Sequence, residues 1–184
     1  MPFAVTHILV PLILTALIRD FYIRKKGKKK FSLHYVLIAG IAGILPDIDL
    51  AALWILHFFG FAYEQIHKTF LHSLFIPIVF LILFLALKNA NVKARICNIG
   101  KHNLKLSVIF LMILIGSLIH ITLDSLFGEP INLLYPFTNL QIGINLVSYL
   151  PLELQGLAMP SLDAALLIIW LIYLELKHKI SDFI

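Results

Sequence analysis

The chain of 184 residues is 60% hydrophobic and only 14% charged, with a mean hydropathy of +0.95, a balance that excludes a water-soluble globular domain. A net charge of +5 and a pI near 9.4 do not point to nucleic acid, because the basic residues cluster between apolar runs without interleaved aromatics for base stacking. Cys97 stands alone, which excludes a disulfide framework and a four-cysteine zinc site.

Five apolar segments are expected to form helices, in a single membrane-embedded domain spanning residues 1–184. The first runs over Phe3–Ile18; it lacks a basic leader and a small-residue cleavage site, so it reads as a span. RKKGKKK at 24–30 follows it. The second, Leu33–Phe61, is interrupted by ILPDIDL. Pro46 has no N–H to donate and disfavours helix at the residue before it, so this segment bends or breaks there, and Asp49 is placed to cap a restarted helix. The third covers Phe70–Leu87 and the fourth Leu106–Phe127. The stretch 128–160 carries Pro130, Pro136, Pro151 and Pro160 with Gly128, Gly143 and Gly156, and reads as an irregular outer loop. The fifth is Leu162–Leu176. The fold class is thus an all-α integral membrane protein with about five transmembrane helices, one kinked at Pro46.

Basic residues orient this arrangement. In a five-span frame the loops after the first and third spans and the tail hold fourteen of the fifteen, and Lys68 is the one on the far side. The N-terminus is then expected outside and the C-terminus in the cytoplasm of an integral cell-membrane protein.

The unusual residues fall into that frame at one depth. His7 lies near the outer end of the first span, and Asp47 and Asp49 in the outer half of the second. His67 and His72 flank the outer start of the third, while His120 and Asp124 lie near the outer end of the fourth. Ionisable groups within spans are costly and mark functional sites. Imidazole and carboxylate are the ligands zinc and similar ions take. In HITLD the i, i+4 spacing sets both groups on one helix face about 6 Å apart. HKTFLH has i, i+5 spacing, so one of its histidines is expected to precede the helix. Seven candidates exceed what one four-coordinate ion needs, which points to two or three metals.

Each motif also has a plainer reading. HxxxD can be a satisfied structural pair, Asp49 a cap, and His7 an interfacial residue. His34, His57, His102 and His178 read as interfacial or solvated, as do Glu129 and Glu153. LHFFGFAY at 56–63 reads as an interfacial aromatic belt. Agreement in depth across four segments is what favours a metal.

The ordered set of His7, GILPDID, HKTFLHS and SLIHITLD resembles the membrane-bound metal-dependent hydrolase family of the YdjM type, over residues 7 to about 136. That family in turn resembles the zinc-dependent phospholipases C and single-strand nucleases, all-helical enzymes with a helical HxxxD in their zinc cluster. The later HxxxE pair and the N-terminal tryptophan of the soluble phospholipases have no counterpart here, which favours two ions over three. HExxH and GxSG, the marks of intramembrane metallo- and serine proteases, are absent from the sequence.

The resulting expectation is a hydrolase with two divalent metal ions, zinc above others, near the outer leaflet. His7, Asp47, His67, His72, His120 and Asp124 are its ligands and Asp49 its general base. The expected substrate is a small-molecule or lipid-borne phosphoester, with membrane lipids as partners and no nucleic acid. The alternatives are a metal-ion or proton carrier using the same residues, and a non-catalytic membrane regulator with a structural metal.

Overall fold

A computed structural model describes residues 3–26, 31–63, 67, 70–90, 92–94, 104–138 and 140–179. Much of the two basic loops, including 27–30 and 95–103, lies outside them, as does Lys68.

Among the described residues six α-helices dominate: α1 (Ala4–Lys26), α2 (Leu33–Ala42), α3 (Ile48–Leu56), α4 (Phe75–Leu87), α5 (Leu106–Phe127) and α6 (Leu152–His178). Two small antiparallel pairs accompany them, β1 (Lys93–Ala94) with β2 (Leu104–Lys105), and β3 (Ile131–Asn132) with β4 (Gln141–Ile142). Among the described residues three helices are long and apolar enough to cross a membrane, α1, α5 and α6. At 1.5 Å per residue they run about 33–40 Å, whereas the 13 residues of α4 reach only about 20 Å. The helix lengths thus support an all-α membrane protein with three spans among the described residues and do not confirm the expected count of five.

The second apolar segment is broken outright. Residues 43–47 form successive turns between α2 and α3, so Pro46 sits in a two-helix junction and not at a kink. Asp47 occupies the N-cap position of α3 and makes no capping bond. Asp49 lies inside the first turn with its carboxylate committed elsewhere, which corrects the expectation that it caps the helix. The proline-rich stretch is also more ordered than expected, because α6 begins directly after Pro151 and runs through Pro160. A proline before the first helical turn costs nothing, since that N–H would be unpaired anyway.

Small residues let the helices close up. A Cβ on Gly116 of α5 would lie 2.5 Å from the Ala39 carbonyl oxygen and 2.7 Å from the Ala42 Cβ of α2. A Cβ on Gly43 would lie 1.9 Å from the His7 carbonyl oxygen of α1. Such close backbone approach is what holds helices together where lipid removes the hydrophobic drive. Pro11 contributes too, because its missing N–H leaves that same His7 carbonyl without its helical donor. Tyr35, Ala39, Ile109 and Met112 fill the α2–α5 seam, and Leu12, Ala16 and Val36 the α1–α2 seam, with Trp170 and Tyr173 of α6 beside it.

Helices α1 and α6 run parallel, pinned at two levels. Thr6 Oγ1 donates to Asp163 Oδ1, and Lys177 Nζ lies 3.2 Å from Asp20 Oδ2. Both pairs have the same offset of 157 residues, so the two rungs fix one register over about 21 Å. Beyond α5, Ile144 N donates to Ser125 O and Leu74 N to Leu133 O, which ties Ile144 to the end of α5 and Leu133 to the turn before α4.

Candidate metal centre

The N-terminal end of α1, the 43–49 junction, the turns before α4 and the last two turns of α5 meet at one place. His7, Asp49, His67, His72, His120 and Asp124 are all 4% exposed or less, and Asp47 is 16% exposed. Four histidines and three aspartates from four chain segments converge there, and every candidate ligand drawn from the sequence is among them. His34, His57 and His178 are not. Both His67 and His72 precede α4, so the awkward i, i+5 spacing never has to fit a helix face.

Two groups of three donors each lie with their ligand atoms within 4.8 Å of one another: His7, His120 and Asp124, and Asp47, His67 and His72. They share an inner face. His120 Nε2 is 3.3 Å from His72 Nε2, and both nitrogens are 3.5 Å from Asp124 Oδ2. Asp47 Oδ1 is 3.4 Å from His72 Nε2 and 3.6 Å from His120 Nε2. On the far side, His7 Nε2 is 3.4 Å from Asp124 Oδ1, and the His7 and His120 rings stack with centroids 3.8 Å apart.

Tautomers follow from the outer contacts. His120 Nδ1 lies 2.7 Å from the Gly43 carbonyl oxygen, which can only accept, so the ring proton sits on Nδ1 and the Nε2 lone pair points inward. His72 Nδ1 lies 3.1 Å from Asp49 Oδ2, close enough for strong attraction although off the hydrogen-bond angle. Its Nδ1 thus faces the same outer side, and its Nε2 faces inward. His67 Nδ1 and Asp49 Oδ1 are 3.0 Å apart and hydrogen-bonded. The carboxylate of Asp49 thus stands behind two imidazoles, as outer partners of metal-binding histidines do.

The inner face brings the two Nε2 atoms and the carboxylates of Asp47 and Asp124 together. Neither oxygen of Asp124 has a hydrogen-bond partner, and both are buried. An imidazolium proton would draw a carboxylate to about 2.7–2.9 Å. The separations here are 3.3–3.6 Å on all five pairs given above. Nitrogen and oxygen donors about 2.0–2.1 Å from a tetrahedral zinc are about 3.3–3.4 Å from each other, so the donor set fits a divalent metal in both spacing and chemistry.

Sequence reasoning misses two participants. Gly43 contributes only a carbonyl, which no side-chain motif reveals. Tyr63 packs its ring on His67 with centroids 4.8 Å apart and, with Leu53, Trp54, His57 and Ala62, lines a cavity of about 500 Å³. Burial pushes the Tyr63 phenol up, and the charges of Glu129, Asp49, Asp47 and Asp124 add to it, so the phenol keeps its proton beside the site.

Comparison with known proteins bears on membership alone. The model of a family described as YdjM inner membrane protein matches residues 1–179, and the chain belongs to that family. No curated protein and no solved structure matches it.

Proposed function

We propose that this member of the YdjM inner membrane protein family is a metal-dependent hydrolase of phosphoesters, holding two zinc ions near the outer leaflet, with the N-terminus outside and the C-terminus in the cytoplasm. The observation that carries the reading is the inward-facing set of His72, His120, Asp47 and Asp124. Their facing nitrogen and oxygen atoms lie 3.3–3.6 Å apart. Two triads favour two ions, because three protein ligands and one open position is the pattern of catalytic zinc sites. Zinc in such a site lowers the pKa of a bound water towards neutrality and stabilises charge on a phosphoryl oxygen.

The side chains then divide the work. His7, His120 and Asp124 would hold one ion, and Asp47, His67 and His72 the other. Gly43 O keeps His120 in the Nδ1–H tautomer. Asp49, expected from the sequence as the base, is assigned here to orienting His67 and His72 through their Nδ1 atoms. Asp47 is the carboxylate at the accessible rim, so with Oδ1 toward the ion its other oxygen would be the acceptor for a proton leaving the nucleophile.

The test is elemental analysis of the purified protein together with hydrolysis of bis(p-nitrophenyl) phosphate. Two zinc ions per chain and turnover that disappears in His120→Ala are expected. A metal-free protein, or a zinc-loaded one that hydrolyses no phosphoester, would end the proposal.

A further inference from the structure

Resting on the hydrolase reading, we infer that the substrate is an amphiphile whose acyl chain lies in the groove bounded by α2, the 43–48 junction and α5, with its phosphoester at Asp47. The groove has a volume of about 430 Å³ and is lined by Ile38, Ile41, Ala42, Ile44, Leu45, Ile48 and Ile113. No charged residue is among these.

Three observations connect it to the metal centre. Six of the seven residues at the centre are sealed, and Asp47 is the one with appreciable exposure, so the accessible edge of the site lies at Asp47. Ile44, Leu45 and Ile48, which surround Asp47 in the chain, form one wall of the groove. The same junction supplies Gly43, whose carbonyl holds His120. A molecule reaching Asp47 along this side therefore keeps company with aliphatic side chains until its last few atoms. A free polar phosphoester gains nothing there, whereas a hydrocarbon tail is held by close packing against these side chains while its headgroup stays at the site. The groove is also open at the lipid-facing flank, where Ile41 is 60% and Ile48 57% exposed, so a chain can enter sideways from the bilayer.

The test uses the zinc-loaded full chain in detergent and two substrates, methyl p-nitrophenyl phosphate and hexadecyl p-nitrophenyl phosphate. Ile41→Trp obstructs the groove from an exposed position. Leu37→Trp, also exposed on α2 but outside the groove lining, controls for added bulk and for partitioning into micelles. The expected result is a kcat/KM at least a hundredfold higher for the hexadecyl ester. Ile41→Trp should reduce that value at least tenfold while the methyl ester and the Leu37→Trp protein stay within twofold of wild type. Equal turnover of both esters, or equal loss in both variants, would overturn the groove. Native mass spectrometry with hexadecyl phosphate supplies a readout independent of turnover: a one-to-one adduct in wild type and Leu37→Trp that is lost in Ile41→Trp is expected. Identical adducts in all three proteins refute the groove whatever the hydrolysis shows. An adduct that behaves as expected beside absent turnover of both esters refutes the hydrolase reading and leaves the lipid site standing.

Discussion

Gly43→Ala adds one methyl group at the point where α1, α2 and the metal centre meet. Its Cβ would lie 1.9 Å from the His7 carbonyl oxygen, 2.9 Å from Pro11 Cγ and 3.0 Å from the Gly40 carbonyl oxygen. Ordinary contact begins at 3.4 Å, so the His7 backbone must retreat by about 1.5 Å, roughly one residue's rise along a helix. The first obstacle is backbone of a buried helix, not the end of a flexible side chain, so rotamer change gives no relief. Overpacking of this kind costs about 1–3 kcal/mol. The displacement falls directly on His7, whose Nε2 faces Asp124 Oδ1, and on Gly43, whose carbonyl holds His120. A shift of this size at a catalytic group costs about a hundredfold in rate. The assay is zinc content and melting temperature of Gly43→Ala beside Gly60→Ala. Gly60 has open space around its Cβ position, although its φ of 85° makes alanine locally strained there. Gly43→Ala should lose at least one zinc and melt below wild type, while Gly60→Ala keeps its zinc. Full zinc and an unchanged melting temperature in Gly43→Ala would refute the close approach of α1 and α2 at the centre.

His7→Ala should lower zinc from two ions per chain to one, because His7 belongs to one triad only; retention of both, measured by elemental analysis, would show that His7 is a structural neighbour. Asp49→Asn keeps the size of the side chain and removes its charge, so zinc affinity measured by competition with a chelator should fall by about 10–100-fold with circular dichroism unchanged. Reporter fusions after Lys29 and Lys101 should read cytoplasmic, and those at Leu140 external; an external signal from the 88–105 loop would invert the placement of the site.

The residues of the centre were legible because charge and imidazole are conspicuous in hydrocarbon, and because their agreement in depth needs only helix lengths and loop charges. The fourth apolar run was legible to the residue, since Leu106–Phe127 is bounded by Lys105 and by Gly128. The break at Pro46 followed from a missing donor. What the letters concealed depends on the backbone. Proline at 151 and 160 reads as a loop signal, yet one stands just ahead of a helix and the other is carried inside a 27-residue one. The i, i+5 spacing of His67 and His72 excluded a shared helix face without saying that both lie in turns. The pairing of donors was hidden as well. His120 meets His72 and Gly43 across sequence separations of 48 and 77 residues, and no local pattern encodes such partners.

Charge links the proposed occupancy to the proposed substrate. Asp47, Asp49 and Asp124 bring three negative charges to a place largely closed to water, and uncompensated charge there costs several kcal/mol per ion even after relaxation. Histidines that ligate a metal do so as neutral imidazoles and add no charge to this balance. One dication leaves the three carboxylates one charge short of balance; two leave an excess of one positive charge. A phosphodiester monoanion restores neutrality in the second case and worsens the imbalance in the first. A neutral carboxylic ester does neither. Two-ion occupancy and an anionic phosphoester are therefore a single claim on electrostatic grounds. Hexadecyl phosphate should accordingly inhibit hydrolysis competitively and at least tenfold more strongly than hexadecyl acetate, a neutral ester of the same chain length; equal inhibition by the two in steady-state kinetics would refute the link.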